Sequence, residues 1–219
     1  EFWATLGANG DWARVFDFGN SNGASGQNFL FFSPHTGAGS HRFTLSTAGG
    51  PRDQDVPGML DGRTVHVVCI ADAATGYSAI YTNGILDSQT NGPLPALSGV
   101  NAALSYLGRS LFSADAWLNG SIDEFRIYHG RLTPEDIAAN FASGPGALAL
   151  PVSLAISNSP AGIELTWPSY AVGFALQTSP TLGDGAFWST VLQTPTLDGG
   201  GYRVTLPLTG DAQFVRLRK

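Results

Sequence analysis

Short apolar runs, each closed by a cluster of turn residues, recur along the whole chain. Residues 12–19 (Trp-Ala-Arg-Val-Phe-Asp-Phe-Gly) predict a strand ending at Gly19, and residues 20–26 a turn. Residues 28–33 and 42–46 predict two further strands. Residues 48–58 are polar and carry Pro and Gly, which predicts a loop. Residues 64–71 (Thr-Val-His-Val-Val-Cys-Ile-Ala) are apolar on both faces of the pleat, so they predict a central strand covered on both sides. Residues 77–82 and 85–89 flank Asn83-Gly84. An Asn-Gly pair between two such runs predicts a tight hairpin, because both turn residues need φ > 0. Residues 103–108 and 121–128 predict two more strands.

One helix is predicted. Thr133-Pro134-Glu135-Asp136 supplies a cap, a proline at the first helical position and acids in the first turn, and Gly144-Pro145-Gly146 stops it. From residue 152 on, alternation at Ile163/Leu165/Trp167, Phe174/Leu176 and Tyr202/Val204/Leu206, with a last run at residues 213–217, predicts a second, smaller β unit.

Composition supports a β-rich chain. Among 219 residues, 43% are hydrophobic, enough for a sizeable core, and only 13% are charged, about half the usual roughly 25%. Gly and Pro number 28 and 13, which disfavours helical bundles and coiled coils. Net charge is −6, and a single Lys stands against ten Arg, so no concentrated basic surface suits nucleic acid. No apolar run approaches the roughly 18 residues of a membrane span. The lone Cys69 permits neither an intrachain disulfide nor a cysteine zinc site.

Several motifs then agree in order: residues 11–19 (Asp-Trp-Ala-Arg-Val-Phe-Asp-Phe-Gly), 80–84 (Ile-Tyr-Thr-Asn-Gly), 107–110 (Leu-Gly-Arg-Ser), 118–128 (Leu-Asn-Gly-Ser-Ile-Asp-Glu-Phe-Arg-Ile-Tyr) and the following Leu-Thr-Pro-Glu-Asp-Ile. Over roughly residues 1–145 the chain resembles the laminin-G-like branch of the concanavalin A-like lectin/glucanase superfamily. The resemblance implies a two-sheet antiparallel jelly roll, often appended to secreted bacterial enzymes or surface proteins. Glu1-Phe2-Trp3 resembles the middle of the family's pattern, so the resemblance also implies that the family's opening strands are missing. The second unit resembles a small β-sandwich module at the C-terminus of secreted bacterial proteins, on Ile163-Glu164-Leu165-Thr166-Trp167-Pro168, residues 173–180, Trp188 and the ending Phe214-Val215-Arg216-Leu217-Arg218.

Catalytic chemistry finds little support. Retaining glycoside hydrolysis needs two carboxyls on one face, roughly 5 Å apart, whereas Asp123-Glu124 are adjacent and point to opposite faces. No Gly-x-Ser-x-Gly occurs, and the four His lie outside any nucleophile or metal pattern. Cys69 reads as an inert core thiol. Strand alternation places Asp123 on the apolar face with Phe125 and Ile127, where a carboxylate must be hydrogen-bonded or hold a cation. The resemblance adds that a matching Asp often helps hold a structural calcium. Sugar binding needs aromatic platforms and planar polar groups. Trp117 lies in a loop, as a platform or as an anchor packed on the sandwich, and Asp115, Arg52, Gln54 and His35 also fall in predicted loops.

The expectation is therefore an all-β chain: a laminin-G-like jelly roll over residues 1–147, a small β-sandwich over 148–219, and one short helix near the junction. Its expected role is a non-catalytic carbohydrate-binding accessory module of a larger extracellular or cell-surface bacterial protein, with a polysaccharide or glycan and the parent's other domains as partners. The alternative is a structural or adhesive protein-interaction module. Candidate ligand residues are Trp117, Asp115, Arg52, Gln54 and His35; Asp123 is the candidate calcium ligand.

Overall fold

The structure, a computed structural model, describes residues 1–147, 152–169, 171, 173–198, 201–208 and 212–218. Its strands, in chain order, are β1 (Phe2–Leu6), β2 (Phe16–Ser21), β3 (Gly26–Ser33), β4 (Ser40–Thr47), β5 (Gly50–Pro57), β6 (Thr64–Asp72), β7 (Tyr77–Thr82), β8 (Ile85–Asn91), β9 (Leu104–Leu107) and β10 (Gly120–Phe125). Helix α1 (Pro134–Ser143) follows, then β11 (Ala155–Ser159), β12 (Gly162–Pro168), β13 (Ala175–Ser179), β14 (Ser189–Thr190), β15 (Thr196–Asp198), β16 (Gly201–Leu206) and β17 (Phe214–Arg218). The fold is all-β, with antiparallel sheets and a jelly-roll-like sandwich. The chain packs into two compact units, Glu1–Ile127 with Pro134–Ala149, and Tyr128–Thr133 with Leu150–Lys219.

In the first unit one sheet runs β10-β1-β6-β7-β8 and the other β5-β4-β3-β2-β9. Alternate residues from the two inner faces meet between them. Phe2, Val65, Val67 and Ile80 come from the first sheet, Phe32 and Phe43 from the second. The Phe2 and Phe32 rings lie 5.3 Å apart. β6 is central, as its two-faced apolar pattern predicts: Val65 and Val67 face this core, while on the other face His66 and Trp3 of β1 lie under the Phe141 ring of α1 at 5.9 and 5.7 Å. Asn83 and Gly84 turn the β7–β8 hairpin with φ of 52° and 79°, the conformation a two-residue turn demands.

Two expectations fail here. Residues 48–58 are not a loop, since β5 occupies Gly50–Pro57 and pairs with β4 along its whole length. It is an edge strand, and an edge tolerates the Pro51, Arg52, Asp53 and Asp55 that hid it. Nor does the first predicted strand begin at Trp12. Trp12 has φ 62°, Ala13 makes only an isolated bridge with His35, and regular pairing starts at Phe16.

In the second unit, β11-β12-β16-β15 and β14-β13-β17 form two small sheets around Leu165, Trp167, Leu176, Val204 and Leu206. Residues 148–151, at the expected start of the second unit, lie outside the described residues.

Candidate functional site

The register of the second sheet lines up one cross-strand row on its outer face. Tyr106 of β9 sits opposite Asp17 of β2, Asp17 opposite Phe31 of β3, Phe31 opposite Thr44 of β4, and Thr44 opposite Asp53 of β5. An aromatic or Thr belongs on such a face; a carboxylate at Asp17 with no exposed surface needs an account.

The account is the loop at residues 108–118. Gly108, at φ 72°, turns the chain out of β9, and the Leu118 N–H returns to the Gly108 carbonyl at 3.0 Å to close the loop. The loop then folds over Asp17. The Leu111 N–H donates to Asp17 Oδ2 at 2.9 Å, and Ser110 Oγ lies 3.4 Å from the same oxygen while donating to Asp115 Oδ2 at 2.7 Å. The Phe112 N–H donates back to Ser110 Oγ at 3.0 Å. From the β2–β3 turn, Ser21 Oγ donates to the Leu111 carbonyl at 3.0 Å, and the Ala24 carbonyl accepts the Ser113 N–H at 3.1 Å. Phe112 packs so closely on Gly26 that a Cβ there would come within 2.7 Å of its ring. These bonds hold the loop in one shape before any ligand arrives, which lowers the ordering cost of binding.

Beneath the loop lies a buried charge. Arg14, 3% exposed, stacks on Phe31 with its guanidinium 3.8 Å from the ring centroid. Its Nη2 is 3.1 Å from Asp115 Oδ2, its Nε 3.6 Å from Asp17 Oδ2, and its Nη1 donates to the Trp12 carbonyl at 2.6 Å. Burial pushes the Asp17 carboxyl up to about 6; the Leu111 amide, Arg14 and Ser110 pull the other way, and Asp115 adds to the rise. A raised carboxyl beside a cleft suggests a general acid. Asp17, however, has no surface that a substrate could touch.

Above these groups opens a cleft of about 290 Å³, lined among others by Tyr106, Arg109, Ser110, Phe112, Asp115 and Trp117. That is near the lower end of the roughly 300–1,000 Å³ of small-molecule sites. Trp117 is 70% exposed, so it is not an anchor packed into the sandwich. The Arg109 guanidinium lies over two rings, 4.7 Å from the Tyr106 centroid and 5.3 Å from that of Trp117.

The structure thus brings together Trp117 and Asp115 from the sequence-derived candidates and puts the others elsewhere. Arg52 lies on the edge strand β5 and donates to the Pro93 carbonyl at 3.0 Å. Gln54, also on β5, is buried, not in a loop; its amide donates to Ser88 Oγ at 3.0 Å and accepts from Ser78 Oγ at 2.7 Å. His35 is clasped by Asp61 at 2.6 Å and Asp11 at 3.3 Å, and helps hold the segment around Trp12.

Asp123 is exposed rather than set on the apolar face. Trp3 pairs with Glu124 but Ala4 pairs with Ile122, so Asp123 is the extra residue of a β-bulge. The bulge puts Ile122 and Phe125 both on the core and pushes Asp123 outward. The burial that pointed to a cation at Asp123 is therefore not there. Among the described residues no three or more His, Cys, Asp or Glu side chains gather at a metal-holding distance. On the neighbouring positions, Glu124 and Arg126 form an ion pair at 2.6 Å.

Tyr106 and Arg109 were not among the candidates. Arg109 sits in the Leu-Gly-Arg-Ser motif, but a single arginine after a turn glycine carries no periodic signal. Only closure of the loop puts it beside Trp117.

The model of the Concanavalin A-like lectin/glucanases superfamily matches residues 1–138. Among solved structures, the CBM40 of the Ruminococcus gnavus IT-sialidase bound to alpha2,3 sialyllactose aligns with 63% of this chain and 78% of its own, at 19% identity and a TM-score of 0.50; it shares the fold. A second structure of that CBM40 covers 55% of this chain and 69% of its own, at 19% identity and a TM-score of 0.43. An S-layer domain-containing protein from Clostridium thermocellum covers 63% and 66%, at 23% identity and a TM-score of 0.31. The last two alignments are too loose to carry an argument. No curated protein matches the chain in sequence. With most of its first unit matched by the family model and its two sheets in the sandwich arrangement, the chain belongs to the laminin-G-like family of the concanavalin A-like lectin/glucanases superfamily.

Proposed function

We propose that this protein is a non-catalytic carbohydrate-binding module of a larger secreted or cell-surface bacterial protein. Residues 1–147 form the binding module and residues 148–219 a separate small one. A glycan lies in the cleft of the loop at residues 108–118, with a sugar face against Trp117. The observation that carries this reading is the exposure of Trp117 on a loop pinned by backbone and buried side-chain bonds. A large ring held in water at the lip of a preformed cleft suits stacking on the apolar face of a sugar. Hydrolysis finds no support there. Asp115 is the sole carboxylate among the described residues lining the cleft, and its charge is met by Arg14.

The test is binding of the full chain to a panel of soluble polysaccharides and oligosaccharides, beside Trp117→Ala. Binding to one glycan class, weakened at least ~10-fold in the variant, supports the reading. Silence across the panel from a folded chain sinks it. A protein-interaction role is the second reading. It is favoured by Leu182, Phe187 and Leu192 of the second unit, which are 70%, 79% and 95% exposed.

A further inference from the structure

The polar groups of the cleft are unbalanced between donors and acceptors. Its serine hydroxyls are engaged within the protein: Ser21 with the Leu111 carbonyl, Ser110 with Asp115, and Ser113 with the Ala24 carbonyl. Its one carboxylate, Asp115, faces Arg14 at 3.1 Å and accepts from Ser110. None of the described residues lining it is Asn or Gln. Two donors are left over. Arg109 is exposed and forms no ion pair among the described residues, although the protein carries a net charge of −6. The Tyr106 hydroxyl likewise has no hydrogen-bond partner among them.

Neutral sugars present hydroxyls that both give and take hydrogen bonds, and sites for them commonly offer acceptors such as carboxylates and amides. This cleft offers a guanidinium and a phenol instead. Cation–π contacts with Tyr106 and Trp117 hold the Arg109 guanidinium at the cleft, and its N–H groups are the fork that suits a carboxylate.

We infer that the ligand of this cleft is an acidic saccharide, with a ring-borne carboxylate taken by Arg109 while the adjoining sugar face lies on Trp117. The inference rests on the proposed glycan-binding role and adds to it the chemical class of the ligand. Uronates and sialates share that chemistry, so the test uses both.

The experiment is calorimetric titration of the full chain with matched pairs: oligogalacturonate against its methyl ester, and sialyllactose against lactose. Each pair is run with the native chain, Arg109→Gln, Arg109→Lys and Trp117→Ala. Both replaced residues, Arg109 and Trp117, are exposed, and thermal melts confirm that each variant is folded. The expected result is that one acid binds at least ~10-fold more tightly than its neutral partner. Arg109→Gln erases that preference, and Arg109→Lys, which keeps the charge without the fork, restores part of it. Affinity for the acid also falls as salt rises. Trp117→Ala weakens the acid and the neutral partner alike. Equal binding of acid and neutral partner, lost in Trp117→Ala, overturns the acidic class and leaves the glycan site standing. Acid binding unchanged in Arg109→Gln overturns it as well. Binding untouched by both Arg109→Gln and Trp117→Ala, or no binding to any saccharide, overturns the inference and the cleft together.

Discussion

Replacing Asp17 by Asn tests the account of the pinned loop at its base. The Asp17 carboxyl is raised by burial from 3.8 to about 6. Between those values the folded chain holds a proton that the unfolded chain has released. The stability contributed by this group is therefore fully present below about pH 4 and is lost as pH rises through about 6. A shift of about two units at 1.36 kcal/mol each amounts to about 3 kcal/mol. Asn at this position cannot titrate, so the difference in unfolding free energy between the native chain and Asp17→Asn isolates that loss from every other carboxylate. Urea unfolding of both chains in steps from about pH 4 to about pH 7 reads it. The native chain should lose about 3 kcal/mol relative to the variant over that range, whatever the offset at the acid end. A pH-independent difference would mean that Asp17 is solvated, and the loop not closed over it. A difference growing in favour of the native chain as pH rises would mean that Arg14, 3.6 Å away, outweighs burial. Either result refutes the reasoning. The physical point is that the loop carrying Trp117 is held by an ion that is costly to bury, a sign of stability given up for the shape of a site.

Two further outcomes follow from where the other candidates lie. Gln54→Ala removes the amide by which β5 of the second sheet bonds Ser78 and Ser88 of the first, and should cost about 1–3 kcal/mol in urea unfolding without altering saccharide affinity. Asp123→Ala, an exposed bulge residue, should change stability by less than about 0.5 kcal/mol, and adding calcium or a chelator should leave the melting temperature of both chains where it was. A calcium-dependent rise in melting temperature that vanishes in Asp123→Ala would restore the metal site.

Much of the fold was legible in the residues because local signals and burial agree there. Asn83-Gly84 names its own turn, and the two-faced apolar run of β6 names a central strand. The sequence was misleading where a strand or a residue escapes alternation. β5 reads as a loop because its place at the sheet edge lets it carry Pro51 and the charged Arg52, Asp53 and Asp55. Asp123 reads as buried because one bulge against β1 shifts the pleat by a residue, and an inserted residue leaves no mark on a pattern of period two. At the candidate site, Trp117 and Asp115 were visible as an aromatic and an acid in a loop. Arg109 and Tyr106 were not, because their proximity to Trp117 depends on the Leu118-to-Gly108 closure and on the Asp17 contacts beneath it.

The central claim is that a saccharide lies against Trp117, and the indole N–H resonance of that residue tests it most directly. The resonance is assigned by Trp117→Phe and followed during titration of the full chain with the tightest-binding saccharide of the panel. The account predicts that it moves in step with saturation, while the indole resonances of the buried Trp3 and Trp167 stay in place. Saturable binding with the Trp117 resonance unmoved would contradict it.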